Sequence, residues 1–373
     1  MKILHCADIH LDSAMTANLD KDKAKERKSE LLASFKDMVA YAVKENIRVI
    51  IIAGDLFDTR NISVGAKKEV YNIIINNPDI MFYYLQGNHD NGSFLAFLEE
   101  VPDNLRMFGK EWTSYSAGII NNGSITKDIV ITGMELDSDN VGKIYGSLSL
   151  NAGNYNIVVL HGQEASHVSK NNAQIISLKD LRNRGIDYLA LGHVHEYSSD
   201  RLDARGVYCY PGCLEGRGFD EAGEHGFVVL DIDETSGSYD TYFVPFARRN
   251  IYVAQVDVTG CESTFEIEQK LSSFLNNAGF TKDSLVKLEL TGELDVECEK
   301  DTDYLCKQFE NRFYAFKIKD CTAYRVDYMS YEHDVSLKGE FIRNVMGRDD
   351  INEQDKAVII RYGLQALQGE EIV

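Results

Sequence analysis

Six residues, Arg48–Ala53 (RVIIIA), constrain this chain more than any others. An unbroken β-branched run fits a strand buried on both faces, and such strands occur in sheets covered on each side. Its surroundings repeat the theme. Ile3–Asp8 and Ile80–Leu85 also read as strands, with helical patterns between them at Lys21–Glu45 and Ser63–Asn77. In the first helix Leu31, Leu32, Phe35, Met38, Val39 and Ala42 fall at helical spacing. This β-α-β-α-β rhythm predicts parallel strands joined by helical crossovers. Further strands are expected at Asp128–Met134, Asn156–Leu160, Asp187–Leu191, Val207–Tyr210, Phe227–Ile232 and Tyr239–Pro245, the later ones as hairpins.

The pattern restarts after Arg248 and Arg249. Ile251–Val258 alternates as a strand, Ser263–Asn277 as an amphipathic helix, and Leu285–Thr291 as a second strand. The acidic stretch Glu293–Asp303 reads as a solvated face, and Lys338–Met346 and Asn352–Leu367 as terminal helices. These shifts predict a catalytic domain over 1–248, a small α/β accessory domain over 249–335 and a helical segment over 336–373. A chain of 373 residues has room for them. The opening MKILHCAD lacks a signal-peptide pattern, no apolar run approaches a membrane span, and the seven cysteines form no C-x-x-C pair. Reduced thiols in a cytoplasmic protein are expected.

Five short motifs each follow a predicted strand: Asp8-Ile-His10, Gly54-Asp55-Leu-Phe-Asp58, Gly87-Asn88-His89-Asp90, His161-Gly162 and Gly192-His193-Val-His195. Ligand sites in α/β sheets gather at the carboxyl ends of strands, so the five converge on one edge. They hold five of the nine histidines, a concentration that packing does not demand. Carboxylate and imidazole without thiolate suit a pair of divalent ions such as manganese, iron or zinc. Residues two apart in D-x-H and H-x-H share one side of an extended segment and reach a common ligand. His5, His167, His225 and His333 lie outside the motifs and read as packing or surface residues; Arg217 reads as a surface arginine.

This set resembles the calcineurin-like metallophosphoesterase superfamily. In detail it resembles the nuclease subunit of bacterial SbcCD-type DNA repair exonucleases, in the YhaO-like branch. HCADIHLDS at the start, YPGCLEGRGFDEAGEHGF after the last motif, TGELD at Thr291–Asp295 and the ending GLQALQGEEIV carry the finer likeness. The resemblance implies a metallophosphoesterase β-sandwich flanked by helices, with a small α/β capping domain and C-terminal helices. It implies one metal on Asp8, His10, Asp55 and His195, and a second on Asp55, Asn88, His161 and His193. His89 would then reach the scissile phosphate, with Asp90 placed to orient its imidazole. Asp58 stands where archaeal and eukaryotic relatives have a histidine, so no second catalytic histidine is carried over.

The function so implied is a two-metal phosphodiesterase acting on DNA, an exonuclease and endonuclease subunit in DNA repair and recombination. Manganese is the first choice of metal, with iron, zinc or magnesium as alternatives. The implied partners are DNA, an SMC-like SbcC-type coiled-coil ATPase and, as a homodimer, a second copy. The alternative is a phosphomonoesterase or nucleotide phosphodiesterase on the same scaffold, favoured by a net charge of −20. That charge repels polyanions on average, so metals and a partner subunit are the expected suppliers of positive charge.

Overall fold

The computed structural model describes residues 1–15, 19–58, 62–90, 92–121, 126–138, 140–165 and 175–368. Among these residues the chain divides into two compact units, Met1–Asn250 and Ile251–Val373. The first is a β-sandwich flanked by helices. Its opening elements are β1 (Lys2–Cys6), α1 (Lys21–Lys44), β2 (Val49–Ala53), α2 (Val64–Ile75), β3 (Met81–Leu85) and β4 (Leu105–Met107). β1 to β4 lie side by side in parallel. Strands Gly226–Ile232 and Tyr239–Pro245 extend the sheet antiparallel beyond β1. A second sheet contains β5 (Thr113–Asn121), β6 (Thr126–Gly133) and β7 (Tyr155–His161), followed by strands Tyr188–Gly192, Val207–Tyr210 and Ser198–Arg201.

The RVIIIA run shows why β2 had to be apolar throughout. Val49, Ile51 and Ala53 face the second sheet, packing with Ile157, Val159, Tyr188 and Ala190. Ile50 and Ile52 face the helices, among Phe35, Met38, Val70 and Ile74. α1 begins at Asp20, whose carboxylate accepts from the amides of Asp22 and Lys23, and it buries Leu31, Phe35, Met38, Val39 and Ala42 against the sheet. Removing a side chain such as Phe35 from that layer costs about 3–5 kcal/mol. The fully buried Arg27 of α1 donates to Glu215 Oε2 at 3.1 Å and to the Gly216 carbonyl at 2.8 Å. Glu215 also accepts from Ser34 Oγ at 2.6 Å and the Arg248 amide at 2.7 Å. One buried carboxylate thus ties α1 to the segment before Arg217 and to the end of the unit.

β4 and β5 were not expected from the sequence. β4 is three residues long, and β5 lies at a sheet edge with Ser and Gly interrupting its apolar residues, so neither carries a clean alternation.

The second unit has a parallel sheet of Ile251–Asp257, Leu285–Thr291 and Ala315–Asp320, covered by helices Thr264–Asn277 and Thr302–Phe309. The acidic stretch from Glu293 is not wholly a solvated face. Leu294, Val296 and Cys298 are buried between its exposed acids, and Thr302 begins a helix. The helices Leu337–Met346 and Glu353–Gln368 pack through Ile342, Val345, Ile360 and Leu364 around Val296 and Tyr331. They therefore share a core with the stretch before 336 instead of standing as a separate segment.

No helix among the described residues is long and apolar enough to cross a membrane. All seven cysteines are unpaired thiols.

Candidate metal centre

The five motifs meet at the carboxyl ends of β1, β2, β3, β7 and strand Tyr188–Gly192. The loops after β1 and β2 continue the sheet's pairing: the Asp8 amide donates to the Gly54 carbonyl, His10 to Asp55 and Leu11 to Leu56. Several chemistry-bearing residues then adopt left-handed backbone, with φ of 51° at Asp8, 49° at His10, 51° at Asp55 and 100° at His193. Such conformations cost roughly 1–3 kcal/mol each and persist where surrounding bonds over-determine them. The adjoining glycines are set by close approach. A Cβ on Gly54, whose φ is 96°, would lie 2.1 Å from His161 Nδ1, and one on Gly192 would lie 1.9 Å from the Ala53 carbonyl oxygen.

Two groups of donor atoms result. In the first, Asp8, His10 and His195 offer atoms all within 4.8 Å of one another. His10 Nε2 is 3.1 Å from His195 Nε2 and 3.9 Å from Asp55 Oδ2. In the second, Asp55, His161 and His193 converge in the same way. Asn88 Oδ1 lies 3.0 Å from both His161 Nε2 and His193 Nδ1, and Asp55 Oδ2 lies 3.3 Å from His161 Nε2. One oxygen of Asp55 therefore faces both groups. Its other oxygen accepts from the His89 amide at 2.9 Å, and Asp8 accepts from the His193 amide at 2.8 Å.

The far nitrogens show which lone pairs point inward. His161 Nδ1 donates to the Ala53 carbonyl at 2.9 Å and His195 Nδ1 to Glu221 Oε1 at 2.6 Å. His10 Nδ1 sits 3.1 Å from Asp58 Oδ1. In each case Nε2 is left as the free donor, the arrangement typical of metal-bound histidine. Lone pairs then crowd together: His161 Nε2 faces the oxygens of Asp55 and Asn88 with nothing of its own to offer them. Only a proton or a cation relieves that repulsion, so the residues present fit a pair of divalent ions. Burial lowers the His161 pKa, but the Asp55 charge and hydrogen bond more than reverse this and raise it to about 9. His195 is likewise raised, burial being outweighed by Glu221, whereas burial lowers His10 and His193.

His89 stands beside this centre with its side chain 45% exposed. Its ring meets His10 edge to face at 5.0 Å, and its Nδ1 donates to the Asp58 carbonyl at 3.1 Å, which turns Nε2 outward. Asp90 does not orient that ring as the resemblance implied. Its buried carboxylate accepts from the amides of Leu56 at 3.2 Å, Phe57 at 3.0 Å and Gly87 at 3.0 Å, tying the Asp55 loop to the Asn88 loop. Burial and the Asp55 charge push Asp90 up to about 7, against the pull of those amides. Adjacent residues on a turn point apart, so sequence neighbourhood misassigned it.

No role for Glu221 was expected from the sequence, and Arg217 was expected at the surface. Arg217 is instead largely covered and donates to Asp58 Oδ1 at 2.9 Å and Glu221 Oε1 at 2.9 Å. Asp58, Arg217 and Glu221 form a continuous polar chain behind the two histidines of the first group. For Arg217 and Glu221 the only sequence signal was their place in the GRGFDEAGEHGF block. Tyr210-Pro-Gly212 brings that block in: the Cys213 amide donates to the His195 carbonyl at 3.1 Å, and Tyr210 Oη donates to the Gly162 carbonyl at 2.9 Å. His5 is a core residue bonded to Tyr188 Oη at 2.9 Å, and His225 is buried against Cys213 and the Glu221 carbonyl. His333 is exposed, and His167 lies outside the described residues.

With this geometry in view, comparison with known proteins is decisive at the family level. The calcineurin-like phosphoesterase profile matches residues 1–197, more than half of the chain. The chain belongs to that family. It is similar to the uncharacterized metallophosphoesterase YhaO of Bacillus subtilis, at 27% identity over 263 residues, covering 64% of this chain and 59% of the relative. It is also similar to proteins named DNA double-strand break repair protein Mre11. The Aeropyrum pernix one is 24% identical, covering 77% of this chain and 71% of its own length. The Sulfolobus acidocaldarius one is 22% identical, covering 79% and 76% respectively. The chain thus spans under two thirds of YhaO's length.

Proposed function

We propose that this chain is a two-metal phosphodiesterase acting on DNA, the SbcD-like nuclease subunit of a DNA repair exonuclease and endonuclease. The observation that carries the reading is the pair of donor groups sharing Asp55 with His89 exposed beside them. Asp8, His10, Asp55 and His195 would hold one ion, and Asp55, Asn88, His161 and His193 the other, with manganese the preferred metal. Bound ions in such a site supply Lewis acidity and an activated water. The protein's own residues do the remaining work. Asp58, through its carboxylate and carbonyl, fixes His10 and His89 together. His89 Nε2, aimed outward, is placed to donate to a phosphate oxygen or to the leaving group. Asp90 holds the Asp55 and Asn88 loops in register.

The Mre11 relatives support DNA as the substrate. A chain of net charge −20 grips duplex poorly by itself, so an SMC-like, SbcC-type ATPase is the proposed partner and a second copy completes a homodimer. Val358, Ile359 and Tyr362, apolar and exposed on the last helix, support docking of the ATPase there. The same acidity favours the second reading, a phosphomonoesterase or nucleotide phosphodiesterase.

A manganese-supplemented panel of linear duplex DNA, single-stranded DNA, bis-p-nitrophenyl phosphate and p-nitrophenyl phosphate separates them. Diester and DNA cleavage are expected. Strong monoester turnover without DNA cleavage, even with the ATPase added, contradicts the nuclease assignment.

A further inference from the structure

We propose that the cleft next to the candidate metal centre is a subsite for one nucleoside, walled by the stacked rings of Tyr197 and Phe243. This deepens the phosphodiesterase reading and rests on it. The cleft encloses about 590 Å³ and is lined by His195, Arg217, Tyr197 and Phe243. That volume falls in the ordinary range of small-ligand sites. His195 is shared: its Nε2 faces the first donor group while its ring borders the cleft. A group seated in the cleft is therefore a near neighbour of a phosphate held at the centre.

Chemistry narrows the occupant. The Tyr197 and Phe243 rings stack at 4.6 Å between centroids and 26° between planes. Tyr197 is nevertheless 37% exposed, an aromatic ring left open to solvent yet already held in place by its partner. A ring so fixed gives a base a stacking surface without a further ordering cost, and stacking tolerates any base. The rim carries the exposed acids Glu196, Asp220 and Glu224. Carboxylates accept from exocyclic amino groups and sugar hydroxyls and repel phosphate. The cleft thus suits a base and its sugar and disfavours a following phosphate, so it takes a terminal nucleoside in preference to a continuing strand.

The test uses the full manganese-loaded chain and two esters that differ only in the retained group, thymidine 5′-(p-nitrophenyl phosphate) and methyl p-nitrophenyl phosphate. The wild type should prefer the thymidine ester by about 10–100-fold in kcat/KM, the span expected of one stacked base. Tyr197→Leu, which keeps apolar bulk but removes the ring, should erase most of that ratio, and Tyr197→Phe should retain it. Calorimetry gives a readout free of turnover: thymidine 5′-monophosphate should bind more tightly than inorganic phosphate, with the difference lost in Tyr197→Leu. No preference in the wild type, or an unchanged ratio and binding difference in Tyr197→Leu, overturns the subsite. Failure to turn over either ester while the tyrosine-dependent binding persists would instead count against the phosphodiesterase reading.

Discussion

The two donor groups that share Asp55 rest on different supports. In the first, the histidines are backed by side chains: Asp58 behind His10 and Glu221 behind His195, joined by Arg217. In the second, His161 is backed by the Ala53 carbonyl and packed so tightly that Gly54 and Gly192 have no room for a Cβ. Carboxylate backing makes an imidazole a stronger base and leaves its strength open to change by substitution. Backbone backing fixes position and leaves only the glycines to vary. One half of the centre is therefore tuned by charge, the other by shape.

The largest effect should come from the residue common to both halves. Asp55→Ala should strip both ions, read by elemental analysis, and abolish turnover; retention of about two ions per chain would contradict the shared site that a two-metal centre requires. His89→Ala should lower turnover by about 10²–10⁴-fold, the usual worth of a positioned proton donor, while leaving metal content near wild type. Next come the changes that separate the halves. Gly54→Ala drives a methyl into His161 and should cost the second group its ion while the first still binds, seen as one lost phase in a manganese titration. Glu221→Gln keeps the shape but removes the charge behind His195. It should weaken the first ion by about 10–100-fold and leave the second unchanged.

The smallest effect is in protons. The His161 pKa is raised to about 9, because burial is outweighed by the Asp55 charge, and His195 is raised by Glu221. A raised pKa means that the protonated form stabilises the metal-free fold. That contribution is complete below the unfolded histidine pKa of about 6.5 and is lost as pH rises toward 9. Loading must expel these protons, so apparent affinity should increase with pH over the same window. Manganese titrations at pH 7.5 in buffers of different ionisation enthalpy should reveal proton release. Identical heats in all buffers would mean that the histidines enter already neutral.

These contrasts mark what the sequence could carry. The convergence of the five motifs was legible because each follows a strand, and parallel strands bring their carboxyl ends to one edge. Asp90 was misplaced because adjacent side chains in this loop point apart, Asp90 toward the amides of Leu56, Phe57 and Gly87 and His89 toward the Asp58 carbonyl. Arg217 was read as a surface residue and Glu221 was passed over because their partners, Asp58 and His195, come from distant loops, and an Arg-x-x-x-Glu spacing by itself reads as an exposed pair. Left-handed backbone at Asp8, His10 and Asp55 has no signature in residue type beyond a weak tolerance of Asp and His. In the fold, the doubly buried β2 was plain, whereas the edge strand β5 interrupts its apolar residues with Ser and Gly and gave no clear period.

In the proposed centre one carboxylate, that of Asp55, joins the two halves. Crystals soaked in manganese and measured for anomalous scattering address it directly. Two peaks about 3.5–4 Å apart are expected, the first among Asp8, His10 and His195, the second among Asn88, His161 and His193, and both in contact with the Asp55 carboxylate. A single peak, or two peaks of which one does not touch Asp55, would contradict it.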